Sequence, residues 1–126
     1  MEAACGQTSV AEKLYARAVR EHPGSVRTLS SWAQLSVRKG NIVRAKQLYE
    51  AAIELDSNDV QLHQALAVLY VRLEEFDLAR AAFKEGIRVD RTHSPVWHAW
   101  AQMEAAEGQV EVARKLFQEG VWAAPR

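Results

Sequence analysis

The sequence predicts an all-α protein, a solenoid of stacked helix pairs, and three observations predict it. Apolar and small residues return every 34 residues without an insertion: Ala11, Ala45, Ala79 and Ala113, then Tyr15, Tyr49, Phe83 and Phe117. Within each period the apolar residues sit at helical spacing, and no stretch alternates with the period of two that a strand needs. Turn residues fall twice per period, where a pair of helices would begin and end.

Taken in order, the first element spans about 8–21, with Leu14, Tyr15 and Ala18 on one face and Gly6 ahead of it as a turn. The second, about 25–38, has Leu29, Trp32 and Leu35 at spacings of three, after the break His22–Pro23–Gly24–Ser25. Gly40 then supplies a helix C-cap, and the third element, about 42–55, carries Ile42, Ala45, Leu48, Tyr49, Ala52 and Ile53. Asp56–Ser57–Asn58–Asp59 separates it from the fourth, about 59–72, with Leu62, Leu66 and Leu69. Glu74 stands where the other repeats have glycine, and the fifth element follows at about 76–89. Thr92–His93–Ser94–Pro95 precedes the sixth, about 94–106, and Ser94 with Pro95 reads as an N-cap and first-turn pair. Gly108 leads into the seventh, about 110–122. The expected organisation is one domain, 1–126, with a half repeat at about 1–23 and full repeats at about 25–57, 59–91 and 94–126. About three repeats are the minimum for such a stack, since one helix pair cannot bury its own face.

Composition narrows the function. Of 126 residues, 16 are Lys or Arg and 16 Asp or Glu, so the chain has no net charge and is not a generic polyanion binder. Cys5 is the one cysteine, which excludes an internal disulfide and any cysteine metal cluster. His22, His63, His93 and His98 include no pair four apart, so no metal site is expected. There is no phosphate loop, nucleophile elbow or dinucleotide fingerprint. The chain is therefore read as a binding scaffold and not an enzyme, without cofactor, metal or small-molecule substrate. No apolar run approaches membrane-spanning length. Residues Met1 to Val10 show neither a secretory leader pattern nor the arginine richness of a transit peptide.

The repeat resembles the tetratricopeptide signature, W-x2-L-G-x2-Y, then A-x3-F, then P. Its second half matches at Ala45 with Tyr49, Ala79 with Phe83 and Ala113 with Phe117, and at Pro23 and Pro125; Ala33, Ala67 and Ala101 stand for the glycine. In the last repeat Trp97, Trp100, Met103 and Glu104 resemble the half-a-tetratricopeptide (HAT) variant, as do Ala79–Arg80 and Ala113–Arg114. The middle repeat, with Tyr70, looks more tetratricopeptide-like. The resemblance covers nearly the whole chain and implies a right-handed superhelix. The HAT likeness implies a role in RNA processing or transcript maturation. Val96 to Glu104 looks most like chloroplast transcript-maturation factors, and crooked-neck-like splicing scaffolds share the repeat. Implied partners are RNA, proteins of an RNA-processing complex, or both; implied compartments are chloroplast or nucleus. A general protein–protein adaptor without an RNA role is the alternative reading.

In such solenoids the first helix of each repeat lines the concave face. That places Arg27, Ser30 and Gln34 there, then Gln61, Gln64 and Val68, then Pro95, His98 and Gln102. Glutamine and histidine can hydrogen-bond bases or peptide groups, and Arg27 can meet a phosphate; a plain solvated face has the same composition. The clamp that holds a C-terminal carboxylate in some tetratricopeptide domains uses Lys, Arg and Asn, whereas those positions here are Ser30, Gln34, Gln64 and Val68. The basic residues Arg38, Lys39, Arg44, Lys46, Arg72, Arg80, Arg114 and Lys115 are mostly interleaved with acids and read as an ion-paired surface. Trp32, Trp97 and Trp100 are expected to pack inside. Trp122 aligns with Arg20, Glu54 and Arg88, so a large apolar group stands at a charged, outward position and is a candidate interface. With Ala123 and Ala124 replacing Val89 and Asp90, the end is less polar than a cap should be. Further repeats, or self-association, are expected there, and the chain is expected to be a piece of a longer solenoid.

Overall fold

The computed structural model describes residues 2–123, with side chains from Val10 onward. Seven helices occur among them: α1 (Glu2–Glu21), α2 (Val26–Arg38), α3 (Ile42–Leu55), α4 (Val60–Arg72), α5 (Phe76–Val89), α6 (Ser94–Ala106) and α7 (Val110–Ala123). The described residues contain no strand. Pro125 and Ala124, which entered the repeat comparison, lie outside them. The chain divides into two compact units, Met1–Ser57 and Asn58–Arg126.

In the first unit α2 and α3 form a helix hairpin, and α1 packs against α2. Ser25 begins α2, its side chain accepting from the Thr28 amide at 3.2 Å; Asn41 does the same for α3 through Arg44. These bonds satisfy amides that the first turn of a helix leaves without partners. Ala33, Ala45 and Ala52 are fully buried, so the helices approach closely where the 34-residue pattern keeps side chains small. Leu29 and Tyr49 fill the remaining space, and burial raises the Tyr49 phenol pKa. Trp32 is half-buried with the Arg44 guanidinium 5.4 Å from its ring centroid, a cation–π contact.

In the second unit α4 pairs with α5 and α6 with α7, and α6 also meets α5 and α4. Phe83 and Val96 are completely buried. Phe83 stacks on Trp100 with ring centroids 6.0 Å apart, and Trp97 on Trp100 at 6.5 Å. Trp97 is buried as expected, and its indole N–H donates to the Arg91 carbonyl at 2.8 Å, tying the α5–α6 turn to α6.

Two local expectations are corrected. Gly6 is not a turn but lies inside α1, which runs on to Glu2; a single interior glycine costs a helix only roughly 1 kcal/mol, and no proline accompanies it there. The N-cap of α6 is His93, not Ser94, and it makes no side-chain cap bond. The His93 imidazole is instead engaged by the Gln64 side chain at 3.1 Å. Pro95 still falls in the first turn, where its missing N–H leaves no helical bond unmade.

Candidate functional site

The second unit holds a groove of about 230 Å³ lined by Val68 and Val71 of α4, Phe83 of α5, and Ala99, Gln102, Met103 and Ala106 of α6. The sequence builds it from size differences. Ala99 and Ala106, two turns apart on α6, leave room, and Phe83 with Met103, both buried, close the bottom. Val68 stands 39% exposed at the edge, a β-branched apolar side chain where a solvated helix face would carry a polar one. The lining contains one polar side chain, Gln102, and no charged one. Gln102 lies 3.0 Å from the His98 ring nitrogen through its amide nitrogen, which leaves its carbonyl oxygen to accept from a ligand.

The predicted row therefore separates. Val68 and Gln102 line this groove. His98 does not line it: it is exposed, bonded to Gln102, and meets Phe117 edge-on with ring centroids 5.5 Å apart. Gln64 is half-buried and held by His93. Gln61 is exposed, its amide N–H donating to the Asp59 side chain at the start of α4. Pro95 is exposed in the first turn of α6. In the first unit Arg27 and Gln34 are exposed and Ser30 is half-buried. Val71, Ala99 and Ala106 were missed by the sequence reading. The one signal in the repeat is Ala106, which stands where the two earlier repeats have Arg72 and Arg38.

A polar network that the sequence reading did not assemble joins α5 to α6. Arg80 of α5 grips Glu104 of α6 with both arms of its guanidinium, Nε to Oε2 at 3.0 Å and Nη2 to Oε1 at 2.9 Å. The Trp100 indole N–H donates to the same carboxylate at 3.2 Å, and Asp77 holds the third corner of Arg80. Glu104 is buried. The hydrogen bonds from Arg80 hold its carboxyl pKa below the usual range despite burial, and Glu104 in turn raises that of Arg80. A forked, charge-assisted pair of this kind fixes the register of α6 on α5. Among the described residues no three His, Cys, Asp or Glu side chains converge as metal ligands. No described helix is long and apolar enough to cross a membrane.

Several other basic side chains pair with acids: Arg17 with Glu21, Lys39 with Glu12, Arg88 with Glu85, Arg91 with Glu119 and Arg114 with Glu111. Trp122 is 81% exposed and Val121 76%, so the apolar end expected from the sequence is open at the surface of α7.

Solved structures of the same fold include MamA, with 15% identity and a TM-score of 0.83 over 97% of this chain and 67% of that one. A second MamA structure, MSR-1, gives 19% identity and a TM-score of 0.78 over 96% and 70%. The first tetratricopeptide domain of Spaghetti (RPAP3), bound to the HSP90 peptide SRMEEVD, gives 18% and 0.72 over 80% and 82%. No curated protein sequence matches. The family model that matches, the tetratricopeptide repeat, covers residues 36–103. More than half of the chain thus fits one family and its fold is that of the all-α helical repeats, so this chain belongs to the tetratricopeptide-repeat family.

Proposed function

We propose that the chain is a protein-interaction adaptor that holds an apolar peptide segment in the groove between α4 and α6. The observation that carries this reading is the lining of the groove, six apolar side chains with one amide. Such a surface gains from burying apolar groups and offers one hydrogen-bonding side chain to fix register. Its volume of about 230 Å³ takes one or two large side chains, and neighbouring repeats would add contacts along an extended segment. The RPAP3 neighbour is a tetratricopeptide domain seen with a peptide in place, which supports a peptide as the class of ligand. An acidic C-terminal peptide like that one is not the expected ligand, because Ser30, Gln34, Gln64 and Val68 stand at the clamp positions.

The second reading, a HAT-type role in RNA processing, is favoured by the linked Arg80, Glu104 and Trp100, the residues of the HAT resemblance. Against it stand the uncharged lining of the groove and the zero net charge of the chain. The two readings differ in salt dependence. We expect a labelled apolar peptide to bind almost equally at about 50 and about 200 mM salt, whereas RNA held by several phosphate contacts would lose orders of magnitude. Salt-sensitive binding of single-stranded RNA, weakened by Arg27→Ala and His98→Ala and untouched by Val68→Glu, would replace the adaptor reading with the RNA one.

A further inference from the structure

The same 34-residue equivalence identifies a second surface and what fits it. A cavity of about 270 Å³ opens on α6 and α7, lined by Ser94, Trp97, His98, Phe117, Gly120 and Val121. One repeat earlier the counterparts of Phe117, Gly120 and Val121 are Phe83, Gly86 and Ile87, and there the space is occupied by α6. Val96 sits over Gly86, where an added Cβ would lie 3.5 Å from both of its methyl carbons, and Trp100 stacks on Phe83. The difference shows in exposure: Phe83 is 1% exposed, Phe117 40%. The surface on α7 is thus a helix seat that no helix fills among the described residues. It takes an apolar side chain at the glycine and another four residues later at the phenylalanine.

We propose that this seat receives α1 of a second copy of the chain. Among the described large apolar side chains that are exposed, Val10 and Leu14 are a pair four residues apart on one helix outside α7. Leu14 is 60% exposed, whereas its counterpart Leu116 packs with Trp97 and Ala101 of the preceding helix. Among the described residues no helix covers Leu14 in that way. Charge points the same way. The unit holding α1 has eight Lys and Arg against six Asp and Glu, and the unit holding the seat has eight against ten. One copy's first unit and another's second unit attract, while like units repel. The contact joins different surfaces of identical chains, a heterologous head-to-tail interface. It is independent of the α4–α6 groove.

The test is sedimentation equilibrium of the full chain, wild type and two variants at exposed positions, Leu14→Glu in α1 and Val121→Lys in the seat, with helicity checked by circular dichroism. We expect wild type to exceed its 14.1 kDa monomer mass increasingly with concentration. Each variant alone should associate at least about tenfold more weakly, the loss of one central apolar contact. An equal mixture should restore a species of two chains and none larger, because each variant retains the half that the other lacks. A wild type that stays monomeric, a variant that associates like wild type, or a mixture that does not recombine would each overturn the proposal.

Discussion

Glu74 adopts φ +60° at the turn between α4 and α5, where Gly40 and Gly108 serve the other two repeats with φ +84° and +82°. A side chain in that left-handed conformation costs about 1–2 kcal/mol, partly offset because glycine loses more backbone freedom on folding. Glu74→Gly should therefore stabilise the fold by up to about 1 kcal/mol, read as a raised urea midpoint with an unchanged slope. A lower midpoint would mean that the Glu74 side chain contributes more than its backbone costs. This departure from the repeat was legible in the sequence, because glycine at the other two turns defines what position 74 requires.

The pairing of Glu104 with Arg80 was not legible at this scale. Both residues entered the HAT resemblance, but their contact depends on how α6 lies on α5, which periodicity does not specify. Removing one partner of such a pair leaves a charge half-withdrawn from water, so Glu104→Gln should destabilise by about 2–4 kcal/mol near neutral pH. Folded Glu104 binds its proton less readily than the unfolded chain does. Its contribution is thus complete above the ordinary glutamate pKa of about 4.3 and is lost as pH falls through the lower folded value. The difference in urea midpoint between wild type and Glu104→Gln should narrow from about pH 7 to about pH 3. A constant difference would show that the charge contributes nothing.

At the scale of elements, helix positions were almost fully legible from α2 onward. Three boundary pairs were read as they stand, and the others differ by one residue at one end. Regular spacing of apolar residues, together with breaks at Gly40, Gly108 and Pro23, fixed them. The start of α1 was not, because one glycine does not break a helix by itself. Nor was the cap of α6, because His93 is drawn to Gln64, a residue 29 positions away. The two helix glycines also differ in a way the pattern concealed. A Cβ at Gly120 would lie 2.9 Å from the Trp97 Cβ, whereas one at Gly86 would meet its neighbours at 3.5 Å. Gly120→Ala should push α7 off α6 and destabilise by about 1–3 kcal/mol. Gly86→Ala should be neutral or stabilise by up to about 1 kcal/mol, since alanine is the better helix former. Paired thermal melts decide this, and equal effects would remove the distinction between the two seats.

At the scale of the whole molecule, the family and fold class were legible because 34-residue spacing is a property of the sequence itself. The ligand was less so. The polar row on the first helices suggested hydrogen bonding to bases, but side chains bind one another before they bind a partner. Gln64 is held by His93 and Gln102 by His98. The apolar groove arises from Val68, Val71, Ala99 and Ala106 meeting across two repeats, a juxtaposition that only packing creates. If that groove binds peptide, Val68→Glu should weaken binding about tenfold or more, since a charge in an apolar wall costs over 1.4 kcal/mol, and leave the fold intact because Val68 is exposed.

The most direct measurement is a titration of the isotope-labelled chain with an apolar peptide, followed by amide chemical shifts and repeated with single-stranded RNA. The adaptor account predicts that the peptide moves the signals of Val68, Val71, Ala99, Gln102 and Ala106 together and that RNA does not. Shifts produced by RNA around Arg27 and His98, with those groove signals unmoved by peptide, would contradict it.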